Sequence, residues 1–341
     1  MPASPVDPDR GPAGRIGLFH LKDSPGAHRV ALRAGLSVAV PLLACLALDH
    51  PEWTLYAAFG AFTSLYGRNH IHLPRAVMQA SAGVALTLTV VAGAAMARAG
   101  ITDLRLLLGS LVVVMLGQLI AERQDWHPPG PIFLSFAFGA VASAPPLHDS
   151  LWVPAAVAGL TALFGVVIGN VGAVVRRQRS DHAPSPRPLS GHAVRLGIGV
   201  LLAGSLALAS GLGHPYWAIV ALVAALAGPD LASRSARAWH RVLGTLAGLL
   251  PAAILLSLPL SPVGIVLTVV VLQVLTELVV GRNYALALLC ITPMALLMGQ
   301  LAAERPIGGL LLDRGAETAI GGAVALAMIV AERLASRRRA R

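Results

Sequence analysis

From Val30 to Leu334 the chain is a succession of apolar runs separated by short junctions that carry most of its charge. In the first half the runs are about Val30–Leu48, Trp53–Tyr66, Ala76–Ala97, Leu104–Ala121, Pro131–Ala144 and Leu151–Val175. In the second they are Ala193–Leu212, Tyr216–Gly228, Val242–Leu258, Val263–Val280, Tyr284–Ala302 and about Ala316–Leu334. A helix satisfies its backbone N–H and C=O groups within one segment, which hydrocarbon demands. The pattern therefore predicts an all-α polytopic membrane protein with about twelve transmembrane helices. A water-soluble globule is excluded by composition: 56% of residues are hydrophobic, 12% are charged and the mean hydropathy is +0.72. Such a chain would leave large apolar patches in water.

The net charge of +10 would suggest nucleic acid in a soluble protein. Here the arginines lie between apolar runs, where they set topology and meet anionic headgroups. Membrane lipids are expected partners and nucleic acid is not. With the N-terminus inside and twelve crossings, all 26 lysines and arginines except Arg98, Arg105, Arg305 and Arg314 fall on or beside cytoplasmic segments. That bias keeps the short runs Trp53–Tyr66 and Tyr216–Gly228 as spans, and places both termini of a multi-pass cell-membrane protein in the cytoplasm.

Residues 1–27, rich in proline and without an apolar stretch long enough for a signal peptide, read as a disordered cytoplasmic arm. Residues 176–192 read as a basic, proline-rich linker and 336–341 as a basic cytoplasmic tail. Cys45 and Cys290 each fall inside an apolar run, so no disulfide framework or CxxC pair is available. Neither a metal site nor a cofactor is expected.

The two halves repeat. His50–Pro51–Glu52–Trp53 and His214–Pro215–Tyr216–Trp217 each open a short apolar run that closes at Gly67 or Gly228 and is followed by arginines. Ala31–Leu32–Arg33–Ala34–Gly35 returns as Ala193–Val194–Arg195–Leu196–Gly197. Residues 28–175 and 193–335 thus form two six-helix repeats. An even number of crossings in each makes them parallel repeats about an axis along the membrane normal.

As α-helices the two short runs would be only about 20 Å long, against about 30 Å of hydrocarbon. Short, proline-bounded segments at matching positions point to a transport site. They also suit tilted spans with Trp53 and Trp217 as interfacial anchors. The substrate-binding candidates are Arg75 and Arg241, with Gln79 and Thr245 one turn later on the same faces, and Trp53 and Trp217. Glu277, near Gln273 and Thr276, is costly in a span unless paired or protonated, and reads as a proton-coupling carboxyl or as partner to Arg282. Histidine is the side chain suited to proton exchange near neutral pH, so His50 and His214 are candidates for proton handling, though their place before proline suits a helix start equally. Gly244 and Gly248 have the GxxxG spacing of close helix packing. Without HExxH, GxSxG or an Asp-rich motif, an enzyme is not expected. A membrane-embedded enzyme or scaffold is a distant alternative.

The stretches HPYWAIVALVAALAGPD and ARAWHRVLGTLAGLL, the junction Gly281–Arg282–Asn283–Tyr284–Ala285 and Thr292–Pro293 resemble the membrane domain of the fusaric acid resistance and aromatic acid exporter proteins. The likeness is best over His214–Leu297. It implies an inner-membrane exporter of small organic anions, mostly aromatic carboxylates. The family's distant relatives include plant aluminium-activated malate channels, so a passive organic-anion channel stays open, as does proton coupling. Many members carry a large cytoplasmic domain after each six-helix block, whereas here the linker and tail are short. A homodimer is compatible with the pattern.

The topology is tested by reporter fusions after residues 70 and 235, which should both report a cytoplasmic location. A periplasmic signal from both would remove the two short spans.

Overall fold

The structure is a computed structural model that describes residues 26–67, 73–146, 150–176 and 191–339. The expected N-terminal arm, most of the linker and the end of the tail lie outside these residues. Among the described residues every regular element is helical. The first block holds α1 (Ala27–Ala47), α2 (Thr54–Ala61), α3 (Leu73–Arg98), α4 (Asp103–Arg123), α5 (Ile132–Ala142) and α6 (Trp152–Arg176). The second holds α7 (His192–Ala209), α8 (Tyr216–Leu226), α9 (Leu231–Ser257), α10 (Pro262–Val279), α11 (Tyr284–Ala302) and α12 (Ile307–Arg339). Two short 3-10 turns, Pro51–Trp53 and Phe62–Leu65, flank α2.

Among the described residues nine helices are long and apolar enough to cross a membrane; α2, α5 and α8 are shorter. The long helices turn apolar side chains outward. On α4 the exposed large apolar residues are Leu104, Leu108, Val112, Leu116 and Ile120, one stripe at four-residue spacing. The short helices lie inside this ring, with every residue of α2 and α8 buried. A helix that is apolar on all sides and enclosed on all sides has no face to give to water or lipid.

The helix contacts follow one scheme in both blocks. In the first, α2 packs on α6, and α3 on α5 and α6; in the second, α8 packs on α12, and α9 on α11 and α12. Between blocks, α1 meets α10 while α7 meets α4, and α2 meets α11 while α8 meets α5. Glycine sets the closest approaches. A Cβ on Gly60 of α2 would lie 2.4 Å from the Ala158 carbonyl oxygen of α6, and one on Gly321 of α12 would lie 2.1 Å from the Ala218 carbonyl oxygen of α8. The GxxxG pair likewise seats α9 on α11, Gly244 facing Ala285 and Gly248 facing Leu288.

Two helices start earlier than their apolar runs. The run at Val242 belongs to a helix beginning at Leu231, because Asp230 caps it: its carboxylate accepts from the Ala232 and Ser233 amides at 2.9 and 2.8 Å, and Ser233 Oγ accepts from the Asp230 amide. The Ser233 amide first, and that of Ala232 after it, hold this carboxyl below its ordinary range. Arg234 and Arg237, which lie between the apolar runs that end at Gly228 and open at Val242, therefore ride on the opening turns of α9. In the same way α12 begins at Ile307 rather than near Ala316, and takes Asp313 and Arg314 into the helix.

Replacing Gly321 with alanine forces a methyl onto a backbone carbonyl. It should cost about 1–3 kcal/mol, seen as a lower apparent melting temperature in detergent. Gly309→Ala, on the same helix with open space around it, should leave that temperature unchanged.

Candidate functional site

Where the two blocks face each other the structure holds a cavity of about 490 Å³, within the range of small-molecule sites. Its apolar wall comes from the first block, chiefly Phe62 at the end of α2 and Phe133 and Phe136 on α5. Its polar wall comes from the second: Arg237 and Arg241 on α9, Glu277 on α10, Tyr284 on α11 and Arg314 on α12. A slit of about 60 Å³ continues the cavity. The two share Phe62, Phe136, Gln273 and Met294, and the slit runs on to Ser143 and Arg305.

Arg241 is 3% exposed; its Nη1 donates to the Tyr284 hydroxyl at 3.2 Å. Arg237 lies over the Tyr284 ring, 4.8 Å from its centroid, and its Nε donates to the Ala224 carbonyl of α8 at 3.2 Å. Arg234 is turned away from the cavity, donating to the Gly228 carbonyl at 2.8 Å and pairing with Glu332 at 3.3 Å. Two of the three arginines that open α9 thus bind the end of α8, and Arg241, one turn further in, faces the cavity. Glu277, 5% exposed, accepts from Gln273 Nε2 at 3.3 Å on the cavity wall. Thr245 is fully buried one turn beyond Arg241 and is not part of the lining.

The first-block candidates lie elsewhere. Arg75 Nε donates to the Gly67 carbonyl at 3.0 Å and its Nη1 to the Gly169 carbonyl of α6 at 3.2 Å. Gln79 Nε2 donates to the Tyr66 carbonyl at 3.2 Å, while Gln79 Oε1 accepts from Asn170 Nδ2 at 2.9 Å. Both serve the backbone that closes the short α2 segment, and neither reaches the cavity. Trp53 is partly buried and stacks on His50, ring centroids 3.7 Å apart; His50 in turn pairs with Glu52 at 2.8 Å.

Trp217 is buried beneath the polar wall, stacked on His214 with centroids 4.5 Å apart and with the Arg314 guanidinium 5.0 Å from its ring. His214, in the junction between α7 and α8, has both ring nitrogens engaged. Nδ1 meets Asp313 Oδ2 at 2.9 Å and Nε2 meets Arg305 Nη1. A guanidinium only donates, so Nε2 accepts, and Nδ1 carries the proton given to Asp313. The ring is therefore neutral. Burial pulls its pKa down most, the Asp313 hydrogen bond partly restores it and the Arg305 charge lowers it again, leaving it below the usual 6.5.

Sequence reasoning missed Arg314 and the phenylalanine wall. Arg314 lies seven residues into α12, within the apolar stretch Ile307–Leu312 and its continuation, and that placement is its only signal. Phenylalanines inside apolar runs carry none. The neutral His214 ring contributes to the pH dependence of stability. Below pH 6.5 the unfolded chain takes up a proton that the fold refuses. This part of the stability is present above that pH and is lost as the pH falls. His214→Gln should flatten the decline in melting temperature between about pH 7 and pH 5; an unchanged slope would show that another group takes the proton.

The chain is similar to the uncharacterized membrane protein YvaC of Bacillus subtilis (strain 168), with 29% identity over 140 residues. The match covers 41% of this chain and 22% of that protein, so it spans about a fifth of the relative's length. No solved structure matches. Arg237, Arg241, Glu277, Tyr284 and Arg314, the charged and hydroxyl groups of the cavity, all fall in one continuous stretch: over residues 202–328 the chain matches the family of fusaric acid resistance protein-like proteins.

Proposed function

We propose that the chain is a carrier of organic anions, aromatic carboxylates above all, that exports them across the cell membrane and couples their movement to protons. The observation that carries this reading is the division of the cavity, with guanidinium groups on one wall and phenylalanine rings on the other. A carboxylate stripped of water needs charged donors, while a flat apolar body gains from leaving water. The match to fusaric acid resistance-like proteins supports the same class.

The architecture proposed with this function has α2, α5 and α8 completing twelve crossings in two parallel six-helix repeats. The reciprocal contacts, α1 with α10 and α7 with α4, support it, since a twofold axis generates such pairs. The arginines at the start of α9 then mark the cytoplasmic end of the cavity. In this topology the narrow slit at Arg305 lies toward the outer face and the cavity toward the cytoplasm. Glu277 is the carboxyl proposed to exchange a proton as the anion passes, because a buried acid beside arginines changes charge with the occupancy of the site.

In proteoliposomes with an imposed proton gradient, benzoate should accumulate against its own gradient. Flux that only runs downhill would replace the carrier by a passive channel. Arg241→Gln should raise the half-saturating concentration about tenfold to a hundredfold, the range for losing a hydrogen bond to a charged group. Arg75→Gln should lower the melting temperature and leave that concentration unchanged. Glu277→Gln should abolish uphill accumulation and keep downhill exchange. Wild-type behaviour of both Arg241→Gln and Glu277→Gln would remove this site assignment.

A further inference from the structure

Arg314 is the least expected side chain of the cavity. It is 1% exposed, yet among the described residues its Nε and Nη1 find no acceptor. Arg241 Nε and Trp217 Nε1 are in the same position. Buried donors are almost always bonded, and an orphan in a native fold asks for a missing partner. Arg241 and Arg314 both line the cavity, and the Trp217 ring lies against Arg314.

The charges sharpen the point. Arg241 and Arg314 line the same cavity, where like charges repel. Asp313 and Glu317 flank Arg314 on α12, and neither has an ion pair with it among the described residues; Asp313 pairs with His214. Glu317 Oε1 instead accepts from the His214 amide at 2.7 Å, and Oε2 has no partner. The face of Trp217 holds the Arg314 guanidinium in place by a cation–π contact, which positions the group and leaves its N–H edges unused. Two like charges in a low-dielectric wall are unfavourable until an anion lies between them.

We infer that Arg314 and Arg241 together form a carboxylate-binding subsite, with the apolar remainder of the ligand lying along Phe133 and Phe136. A planar carboxylate has two oxygens for these donor edges, and a guanidinium presents its N–H groups in a matching fork. This inference rests on reading the cavity as the anion path, and it adds a residue that the sequence places outside the transport machinery. The Trp217 indole makes the subsite observable, because a carboxylate arriving at Arg314 changes the charge over the ring.

The test uses the purified full chain in neutral detergent, with benzoate as probe and benzamide, similar in shape and uncharged, as its control. Benzoate should raise the melting temperature and change the tryptophan fluorescence; benzamide should do neither at the same concentration. Arg314→Gln should weaken benzoate binding at least tenfold. Arg314→Lys, which keeps the charge and loses the fork, should fall between it and wild type, and serves if the glutamine variant does not fold. Trp217→Phe should remove the fluorescence change. Wild-type protein that ignores benzoate, binds benzamide or chloride equally well, or keeps its affinity in the folded Arg314 variants overturns the subsite and means that water alone fills those donors. Benzoate binding that depends on Arg314, in a protein that moves no anion across proteoliposomes, upholds the subsite and overturns the transport reading instead.

Discussion

A carbonyl group at the end of a helix needs a donor, and within a bilayer only the protein can supply it. This requirement bears hardest on α2 and α8, which are buried on all sides and too short to bring both ends to water. The next helix in the chain answers it each time. Arg75 and Gln79 of α3 reach back to the carbonyls of Gly67 and Tyr66. Arg234 and Arg237 of α9 reach those of Gly228 and Ala224. The short helices can sit at the centre because long, charged side chains close their ends.

Committing these arginines to the backbone separates two kinds of cation. Those nearest the junction stabilise the fold, and their charge is spent on carbonyl dipoles. Arg241 lies a turn deeper on α9 and Arg314 arrives from α12, so both meet the cavity with donors left over. The facing wall of phenylalanines comes from the other block, so the guanidinium and phenylalanine surfaces of the cavity come from different blocks.

Much of this arrangement is legible in the sequence, because hydropathy registers what must leave water. The order of the helices, the shortness of α2 and α8, and the interest of Arg241 and Glu277 all follow from where charge interrupts an apolar run. What escapes is the direction in which a charged side chain points. Arg75 and Arg241 look alike in sequence, each opening a span with a polar residue one turn on, yet one binds carbonyls and the other lines the cavity. Arg314 was lost for the related reason that a hydropathy reading ends a span at Asp313–Arg314, although these charges face protein rather than lipid. The boundary at Leu231 was a matter of local chemistry, since the Asp230–Ser233 cap extends α9 well before its apolar run begins.

The slit leading away from the cavity narrows in two chemically different ways. At Phe62, Phe136 and Met294 the walls are almost wholly apolar. At the far end Arg305 spans the gap, donating to the Ser143 carbonyl at the end of α5 and to His214 in the junction before α8. Salt acts on the charged contacts of the second only weakly, because His214 is buried, while salts that strengthen apolar association tighten the first. The two ends of the slit therefore answer to different properties of the surrounding solution.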